Sequence, residues 1–298
     1  MRVTMNSLYD QINTDLSRLV ENEAKTNSSI SSGKIYRRPS DAPVELTHAL
    51  GYRSQIADTK QYDRNIVFGQ GWVQATETTM RQIQDRLTRA KELAVEGAND
   101  TLNASDRKAI AAEVNVILDE VVSLSNTSIG GRYILAGTRT EGYDNGEEPF
   151  MMDKDGRVTY HGNEEDLAID IGKGQTQKIN LDGRSALVQS GLFDALDMLQ
   201  DALNANSQHS IETSISKLDI SITHVSEQTA LLGAMGNTLD NKEDITNSLS
   251  LTLEERLSDV EDTDIIRAIS DLKTLDAGYQ AALSAASKVM NMSLADFV

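Results

Sequence analysis

Cysteine is absent from the 298-residue sequence, which excludes disulfides, thiolate nucleophiles and cysteine-ligated metals. Proline occurs only at Pro39, Pro43 and Pro149, so long stretches carry no helix breaker. Aromatic residues make up only 4% of the chain, and Trp72 is the single tryptophan. A compact core of this length normally contains more aromatic side chains, because each of them buries a large surface. These shortages favour long helices that pack through thin apolar seams.

Positive charge is also scarce, because 28 Lys and Arg face 46 Asp and Glu and leave a formal net charge of −18. Nucleic acids and anionic membrane surfaces bind clustered basic side chains, so neither is an expected partner. No apolar run approaches the roughly 20 residues of a transmembrane helix. The first residues lack the apolar stretch and cleavage site of a secretory signal, so we expect any export to use another route.

Apolar residues recur at alternating intervals of three and four, the pattern of a left-handed coiled-coil seam. One tract covers Val73 to Ala94 and a second covers Ile110 to Ser128. Between them, Gly97 and the sequence Asn103-Ala104-Ser105-Asp106 predict a helix end, a turn and a new N-cap. Two antiparallel helices joined by a short loop are therefore expected. Amphipathic helices of an ordinary bundle share this spacing, which separates the two architectures only weakly.

The pattern is more continuous towards the C-terminal end than at the N-terminal end. Ile211 to Leu239 keep the spacing, which then shifts near Ile245–Leu253 before a last tract interrupted at Asp276. In the N-terminal tract, Asp15 and Asn22 fall on the seam. The predicted assembly seam comprises Leu8, Ile12, Leu19, Ile265, Ile269, Leu272, Tyr279, Leu283 and Met290.

The two ends carry too few apolar anchors to fold alone. Ordering one residue of backbone costs about 1–2 kcal/mol, while burying one aliphatic side chain returns about 1.5–3 kcal/mol. A helix with one anchor every three or four residues cannot meet that cost. We expect residues 1–40 and 255–298 to be poorly ordered in the free monomer and to fold on pairing with each other or with a neighbour.

A β-rich insertion is predicted between the helical halves. Residues 138–190 contain turn pairs such as Asn145-Gly146 and Asp182-Gly183 beside short runs of alternating polarity, which indicate hairpins. The predicted fold class is mainly α with a small β-rich insertion, an elongated helical bundle or coiled coil formed by the N- and C-terminal halves. The expected segments are 1–40, an N-terminal coiled-coil segment; 41–137, the N-terminal half of the helical rod; 138–190, a β-rich outer domain; 191–254, the C-terminal half of the rod; and 255–298, a C-terminal coiled-coil segment.

No residue pattern predicts catalysis, a cofactor or a metal site. Asp153–Gly156 lacks the spaced ligands of a calcium loop, and no phosphate-loop lysine follows Gly130-Gly131. The histidines are scattered, without a metal-binding or nucleophile–base pattern, at His48, His161, His209 and His224. We therefore expect that the protein is not an enzyme.

Short motifs follow one another in order along the whole chain. They are Ser32-Gly33-Lys34-Ile35, Arg38-Pro39-Ser40-Asp41-Ala42-Pro43, Gln61–Ile66, Arg89–Ala94, Asn126–Thr138, Leu257–Asp264 and Ser293–Phe297. Together they resemble the flagellin superfamily, and within it the hook–filament junction branch, the hook-associated protein 3 family. Filament flagellins resemble the chain less well at residues 38–43. The motif residues are Gly33, Pro39, Ser40, Asp41, Pro43, Asn65, Asn126, Arg132, Tyr133, Gly137, Glu261, Asp264 and Leu294.

The resemblance implies a structural subunit of the bacterial flagellum that joins hook to filament and is exported through the flagellar secretion channel without a cleaved signal. It implies terminal helices in an inner coiled-coil layer and a β-rich region that projects outward. The partners it implies are hook-associated protein 1, flagellin, copies of this chain in a ring, and an export chaperone.

Three other interpretations stay open. The chain is a short filament flagellin if it forms long filaments by itself. A helical signalling protein of chemoreceptor type needs a membrane span or a long uninterrupted hairpin, and the predicted β-rich insertion argues against both. An enzyme needs a buried polar pocket with converging titratable groups.

Overall fold

Long helices form where the sequence lacks breakers. The computed structural model describes residues 5–36, 38, 40, 42–143, 147–153 and 156–295. The α-helices of these residues are α1 (Met5–Ser32), α2 (Pro43–Gly97), α3 (Ala104–Ser125), α4 (Leu192–Asn204), α5 (Gln208–Glu261) and α6 (Ile265–Ala295). Pro43 opens α2, where its fixed φ and missing N–H suit the first helical position. The predicted fold class is confirmed.

The chain divides into two compact units. One unit combines Met1–Asp58 with Leu249–Val298, and the other is Thr59–Ser248. In the first unit, α1 packs along α6. The second unit holds α3, α4 and the β-hairpins, together with the longer parts of α2 and α5. The five segments expected from the sequence stay a prediction.

Heptad spacing builds the core of unit 59–248. The predicted α2 positions Val73, Thr76, Met80, Ile83, Leu87, Ala90 and Ala94 are all buried. On α3 the predicted positions Ile110, Val114, Ile117 and Val121 are buried and Leu124 is half-buried. Ser128 is exposed, contrary to its predicted seam position, because α3 has already ended at Ser125. The ion pairs Arg86–Glu120 and Arg89–Glu113 run between α2 and α3 and confirm the antiparallel pair.

The seam on α5 is longer than predicted. Side chains seven residues apart are buried from Ile211 through Leu218, Val225, Leu232 and Leu239 to Thr246 and Leu253. The predicted shift near Ile245–Leu253 is wrong: Ile245 is exposed, and the neighbouring Thr246 occupies the core position. A threonine at a seam position hides the repeat from a search for apolar residues alone.

In the described part of the β-rich region, the strands form three antiparallel hairpins. They pair β1 (Ser128–Ile129) with β2 (Arg132–Tyr133), β3 (Phe150–Met152) with β4 (Val158–Tyr160), and β5 (Ala168–Gly172) with β6 (Gln175–Lys178). The strands thus begin before residue 138, and the last of them, β6, ends at Lys178. Ile179 and Leu181 enter the core instead. The predicted turn Asn145-Gly146 lies outside the described residues.

The turn between α2 and α3 is closed from both sides. Asn103 Oδ1 accepts from the N–H groups of Ser105 (2.8 Å) and Asp106 (3.0 Å), while the Asn103 N–H donates to Asp106 Oδ2, which completes a capping box. The predicted N-cap is therefore confirmed.

Arg107, which sequence reasoning missed, satisfies the other side of this turn. Its buried guanidinium donates from Nε to the Gly97 carbonyl (2.9 Å), from Nη2 to the Asn99 carbonyl (3.2 Å) and from Nη1 to Asn206 Oδ1. The bond from Nε satisfies the Gly97 carbonyl at the end of α2, while the Asn99 carbonyl also accepts from the Leu102 N–H. Asn206 follows α4, so one side chain joins two turns far apart in sequence.

Replacing Arg107 with Met tests this role. The Arg107→Met variant leaves the carbonyl oxygen of the buried Gly97 without its side-chain donor, and we expect a loss of about 1–3 kcal/mol in the free energy of unfolding. Urea denaturation measures it. The control is Lys108→Met, which changes the exposed neighbour on the same helix and should alter stability by less than about 0.5 kcal/mol. Equal effects of the two substitutions would contradict the assignment.

Candidate assembly site

The two interhelix linkers of the first unit pair by their backbones. The Ile35 N–H donates to the Glu261 carbonyl (2.7 Å), and the Thr263 N–H donates to the Gly33 carbonyl (2.9 Å). Gly33 has a φ of +69°, a left-handed conformation that favours glycine directly after a helix. The motif glycine thus ends α1 in the geometry that brings the linker onto the end of α5.

Ionic side chains reinforce this pairing. Lys34 Nζ lies 3.1 Å from Glu261 Oε2 and 2.6 Å from Asp262 Oδ1, and Arg53 Nη2 lies 2.9 Å from Glu261 Oε2. Ser258 donates its hydroxyl to Asp262 Oδ2. The Glu261 side chain is only 7% exposed, so its charge is compensated by the two cations rather than by water. We call Lys34, Arg53, Glu261 and Asp262 the linker clamp.

The hydrogen bonds of the linker clamp shift the pKa values of Asp262 and Lys34. The hydrogen bond from Lys34, followed by that from Ser258, lowers the pKa of Asp262. The hydrogen bonds to Asp262 and Glu261 raise the pKa of Lys34. Both shifts favour the charged, paired state.

Asp264 adds a third motif residue to the same place. Its Oδ1 accepts from the Arg267 N–H (3.1 Å) and its carbonyl from the Ala268 N–H (2.9 Å), so it caps α6. Gly33, Glu261 and Asp264 are therefore brought together, although they come from opposite ends of the sequence. Ser40 is exposed, and Pro39 and Asp41 lie outside the described residues.

Two motif asparagines fasten strands to helices within unit 59–248. Asn126 caps α3, donates from Nδ2 to the Phe150 carbonyl and to Glu148 Oε2 (2.7 Å each), and accepts from the Phe150 N–H. Asn65 on α2 donates to the Asp170 carbonyl of β5 (2.8 Å). Both motif residues position the β-rich region.

Gly137 makes a close backbone approach. Its φ is +72°, and a Cβ there would overlap the carbonyl and Oδ1 oxygens of Asn163. Asn163 Oδ1 also accepts from the Thr138 N–H (2.7 Å), and Tyr160 donates its hydroxyl to the Asn163 carbonyl (2.9 Å). Burial raises the pKa of Tyr160. Only glycine fits this contact.

The remaining motif residues lie apart from these contacts. Arg132 forms an exposed ion pair with Glu141, and the ring of Tyr133 meets Tyr143 edge-on at 5.3 Å between centroids. Leu294 lies in α6, in the part whose side chains are not described. The motif residues thus serve several structural contacts rather than one pocket.

The predicted seam residues separate into two sets. Ile12, Leu19, Leu272 and Tyr279 are half-buried, whereas Ile265, Ile269 and Leu283 are exposed. Leu8 and Met290 lie in α1 and α6, but their side chains are outside the description. The buried positions of α6 are instead Ala268 and Ala286. The exposed set forms an apolar flank beside the contact with α1, which we call the α6 flank.

Among the described residues, Ser185, Asp182 and His224 lie close together but do not form a serine–histidine pair. Ser185 donates its hydroxyl to Asp182 Oδ2 (2.6 Å), but the His224 Nε2 bonds the Ser185 backbone carbonyl (2.8 Å). The imidazole therefore does not reach the serine hydroxyl, and Asp182 Oδ1 also accepts from the Ser185 N–H (2.8 Å) at the start of the short π-helix Arg184–Val188.

The residues that the structure describes offer no clear site for a metal ion or a membrane span. Within them, no group of three or more His, Asp or Glu side chains is placed to hold a metal ion. In the same part of the chain, no helix combines the length and apolar character of a membrane span.

A groove of about 610 Å³ between α2 and α5 is lined by Gln70, Val73, Gln74, Glu77, Gly233, Gly236, Asn237 and Asp240. Its lining contains neither a histidine nor a hydroxyl nucleophile.

Replacing Gly137 with Ala tests the contact with Asn163. We expect a loss of about 3–5 kcal/mol in the free energy of unfolding, because the variant combines an unfavourable φ with steric overlap. The control is Gly174→Ala: Gly174 has a φ of +70° but open space around it, so only about 1–2 kcal/mol should be lost. Urea denaturation of both variants separates overlap from backbone strain, and equal losses would contradict the assignment.

The linker clamp should make the pairing of α1 with α6 depend on pH. Because the pKa of Asp262 is lowered, its contribution is complete above the ordinary value near 3.8 and is lost as the pH falls through the lowered value. Because the pKa of Lys34 is raised, its contribution is complete below the ordinary value near 10.5 and is lost as the pH rises through the raised value. Helix content followed by circular dichroism should therefore fall in strong acid and in strong base. A Lys34→Met variant should show smaller changes at both ends, and an identical profile would contradict the prediction.

Two family models match the chain. The bacterial flagellin N-terminal helical region matches residues 3–140, and the bacterial flagellin C-terminal helical region matches residues 215–298. Flagellar hook-associated protein 3 of Escherichia coli is 25% identical over 99% of this chain and 98% of its own length. A flagellin of Bacillus subtilis is 26% identical over 92% of this chain and 93% of its own length.

Solved structures share the fold. A putative flagellar hook-associated protein from Vibrio parahaemolyticus superposes with a TM-score of 0.67 at 20% identity, covering 74% of this chain and 100% of that one. These relatives are structural proteins of the flagellum. With both terminal helical regions of bacterial flagellins, which together cover most of its length, the chain belongs to the flagellin family.

Proposed function

We propose that this chain is a structural subunit that joins the hook of the bacterial flagellum to the filament. The observation that carries this proposal is its match to hook-associated protein 3, which extends over nearly the whole of both sequences. The fold agrees, because the two ends of the chain supply α1 and α6 while the β-rich region interrupts the helices between them. The proposed role is structural, and we propose no catalytic activity.

The α6 flank supports a role in assembly. Ile265, Ile269 and Leu283 are 51%, 42% and 52% exposed, and they share one side of the helix because they are 4 and 14 residues apart. Large apolar side chains that line up outside a helix pair mark a surface for another chain. We propose that a neighbouring copy covers the α6 flank, so that the predicted seam works partly within the chain and partly between chains.

The family suggests partners in flagellar assembly. We propose a ring of copies of this chain, with hook-associated protein 1 on one side, flagellin on the other, and an export chaperone before assembly. We also propose export through the flagellar channel. Among the described side chains of α1 and α6, none of the large ones is buried, which suits passage in an unfolded state and folding on arrival.

A short filament flagellin is the second candidate, because the match to Bacillus subtilis flagellin has a similar identity. The match to hook-associated protein 3 covers more of both chains. Electron microscopy of the purified protein separates the two candidates, since a filament flagellin forms long filaments by itself.

Deletion of the gene in its host tests the junction role. We expect intact hooks, no attached filaments, and flagellin released into the medium. Electron microscopy of the cells and immunoblots of the medium measure these outcomes. Normal filaments in the deletion strain would contradict the junction role.

Complementation of the deletion strain tests the α6 flank. An Ile269→Asp, Leu283→Asp double variant should be exported and fold, because both side chains are exposed, yet restore few filaments. The matched control is Val116→Asp, an exposed apolar residue on α3, which should restore filaments. Equal restoration by the two variants would contradict the assignment of the flank.

A further inference from the structure

Two glycines keep the groove between α2 and α5 open. Gly233 and Gly236 lie inside α5, where glycine is less favourable for a helix than alanine. A Cβ on Gly233 would lie 4.0 Å from Glu77 Oε1, and one on Gly236 would lie 3.9 Å from Val73 Cγ1, both ordinary contact distances. In the described part of the chain, no neighbour therefore requires glycine at either position. The space itself is what the two glycines provide, and we call it the α2–α5 groove.

The α2–α5 groove carries negative charge and no lining cation. Glu77 and Asp240 contribute carboxylates, and none of the lining residues is a lysine or an arginine. Glu77 pairs with Arg81 outside the lining, whereas Asp240 Oδ1 accepts from the neutral amide of Gln70 (2.8 Å). The same amide donates to Glu243 (2.7 Å) and so holds a third carboxylate close by. A cation that enters the groove would be attracted by all three.

The rest of the lining suits an aliphatic stem and a peptide loop. The buried Val73 offers an apolar surface to methylene groups. The exposed side-chain amides of Gln74 and Asn237 can both donate to peptide carbonyls and accept from peptide N–H groups. A lysine at the tip of a loop combines an ammonium, a methylene stem and exposed peptide groups. The groove therefore matches a lysine-bearing turn in chemistry.

Lys173 of this chain has that form. It is exposed in the two-residue turn between β5 and β6, where Gly172 precedes it and Gly174 follows it, so neither neighbour adds a side chain that would hold the turn away from a surface. Within the described residues Lys173 forms no ion pair, whereas Lys178 of the same hairpin is paired with Asp166. The turn thus presents a cation that the chain itself leaves uncompensated.

We propose that the α2–α5 groove of one copy receives the β5–β6 turn of a second copy, with the Lys173 ammonium beside Glu77 and Asp240. The inference rests on the proposed assembly of copies of this chain and names one contact in it. Groove and turn are different surfaces, so each copy offers its turn to one neighbour and its groove to another. Such a heterologous contact repeats from copy to copy, as a ring requires.

Disulfide trapping tests the contact directly, because the sequence contains no cysteine. Separate chains carrying Lys173→Cys and Asn237→Cys are expressed together in the deletion strain, and isolated flagella are oxidised and run on a non-reducing gel. We expect a two-chain band that needs both variants, since a disulfide forms only between Cα atoms less than about 7 Å apart. Lys108→Cys, at another exposed lysine, replaces Lys173→Cys as the matched control and should give no band.

Filling the groove gives a second readout. Gly236→Leu should leave the melting temperature unchanged or raise it, because the position has room and leucine favours a helix more than glycine does. It should nevertheless abolish the trapped band and the attachment of filaments. The matched control is Gly71→Leu on α2, an exposed position with open space outside the groove lining, which should preserve both. Circular dichroism measures the melting temperatures, and electron microscopy counts the filaments.

Three results would overturn the proposal. One is the absence of the band from cysteine-variant flagella that carry attached filaments. Another is an equal band from Lys108→Cys and Lys173→Cys, and the third is an undiminished band with Gly236→Leu. Loss of filaments with Gly236→Leu but no band from Lys173→Cys would assign the groove to a different cationic partner and reject Lys173. Filaments that persist in the deletion strain contradict the junction role instead, so the two failures are distinguishable.

Discussion

The seven-residue spacing of buried side chains on α2 and α5 is the constraint on which unit 59–248 depends. Gln70 bonds Asp240 and Lys91 pairs with Asp219, so the two helices run antiparallel in this unit. A repeat of 3.5 residues keeps one face of each helix turned towards its partner over a long distance. With so few aromatic side chains, the core is elongated rather than deep. The helices α3 and α4 and the hairpins pack against this pair and complete its core.

In the first unit, polar contacts contribute more, relative to apolar packing, than they do in unit 59–248. Its helices α1 and α6 share small and half-buried side chains, so backbone pairing and ion pairs between the linkers carry a larger part of the contact. Such a contact is specific in geometry and weak in energy. This combination is compatible with the proposed export in an unfolded state and the proposed assembly with neighbouring copies. The motif residues Gly33, Glu261 and Asp264 lie at this contact between the linkers.

Sequence reasoning succeeded where a local pattern had a local cause. The α2 and α3 seams, the Asn103 capping box and the hairpin at 168–178 all follow from spacing or turn chemistry within a short window. It failed where polar residues are buried in the core. Thr246 continued a seam that a search for apolar residues ended, and Arg107 closed a turn through an asparagine 99 positions away. Nothing near Arg107 in sequence marks it as buried, because its acceptors gather only in the folded chain.

By itself, the sequence determined the helical class, the heptad seams, the β-rich interruption and, through ordered motifs, the resemblance to the flagellin family. Those features depend on periodicity and short-range chemistry, which a linear string preserves. Only the tertiary structure decided which side of α6 faces α1, leaving Ile265, Ile269 and Leu283 outside. It also decided that Lys34 and Arg53 meet Glu261. Both depend on contacts between distant segments, whose geometry no local spacing contains.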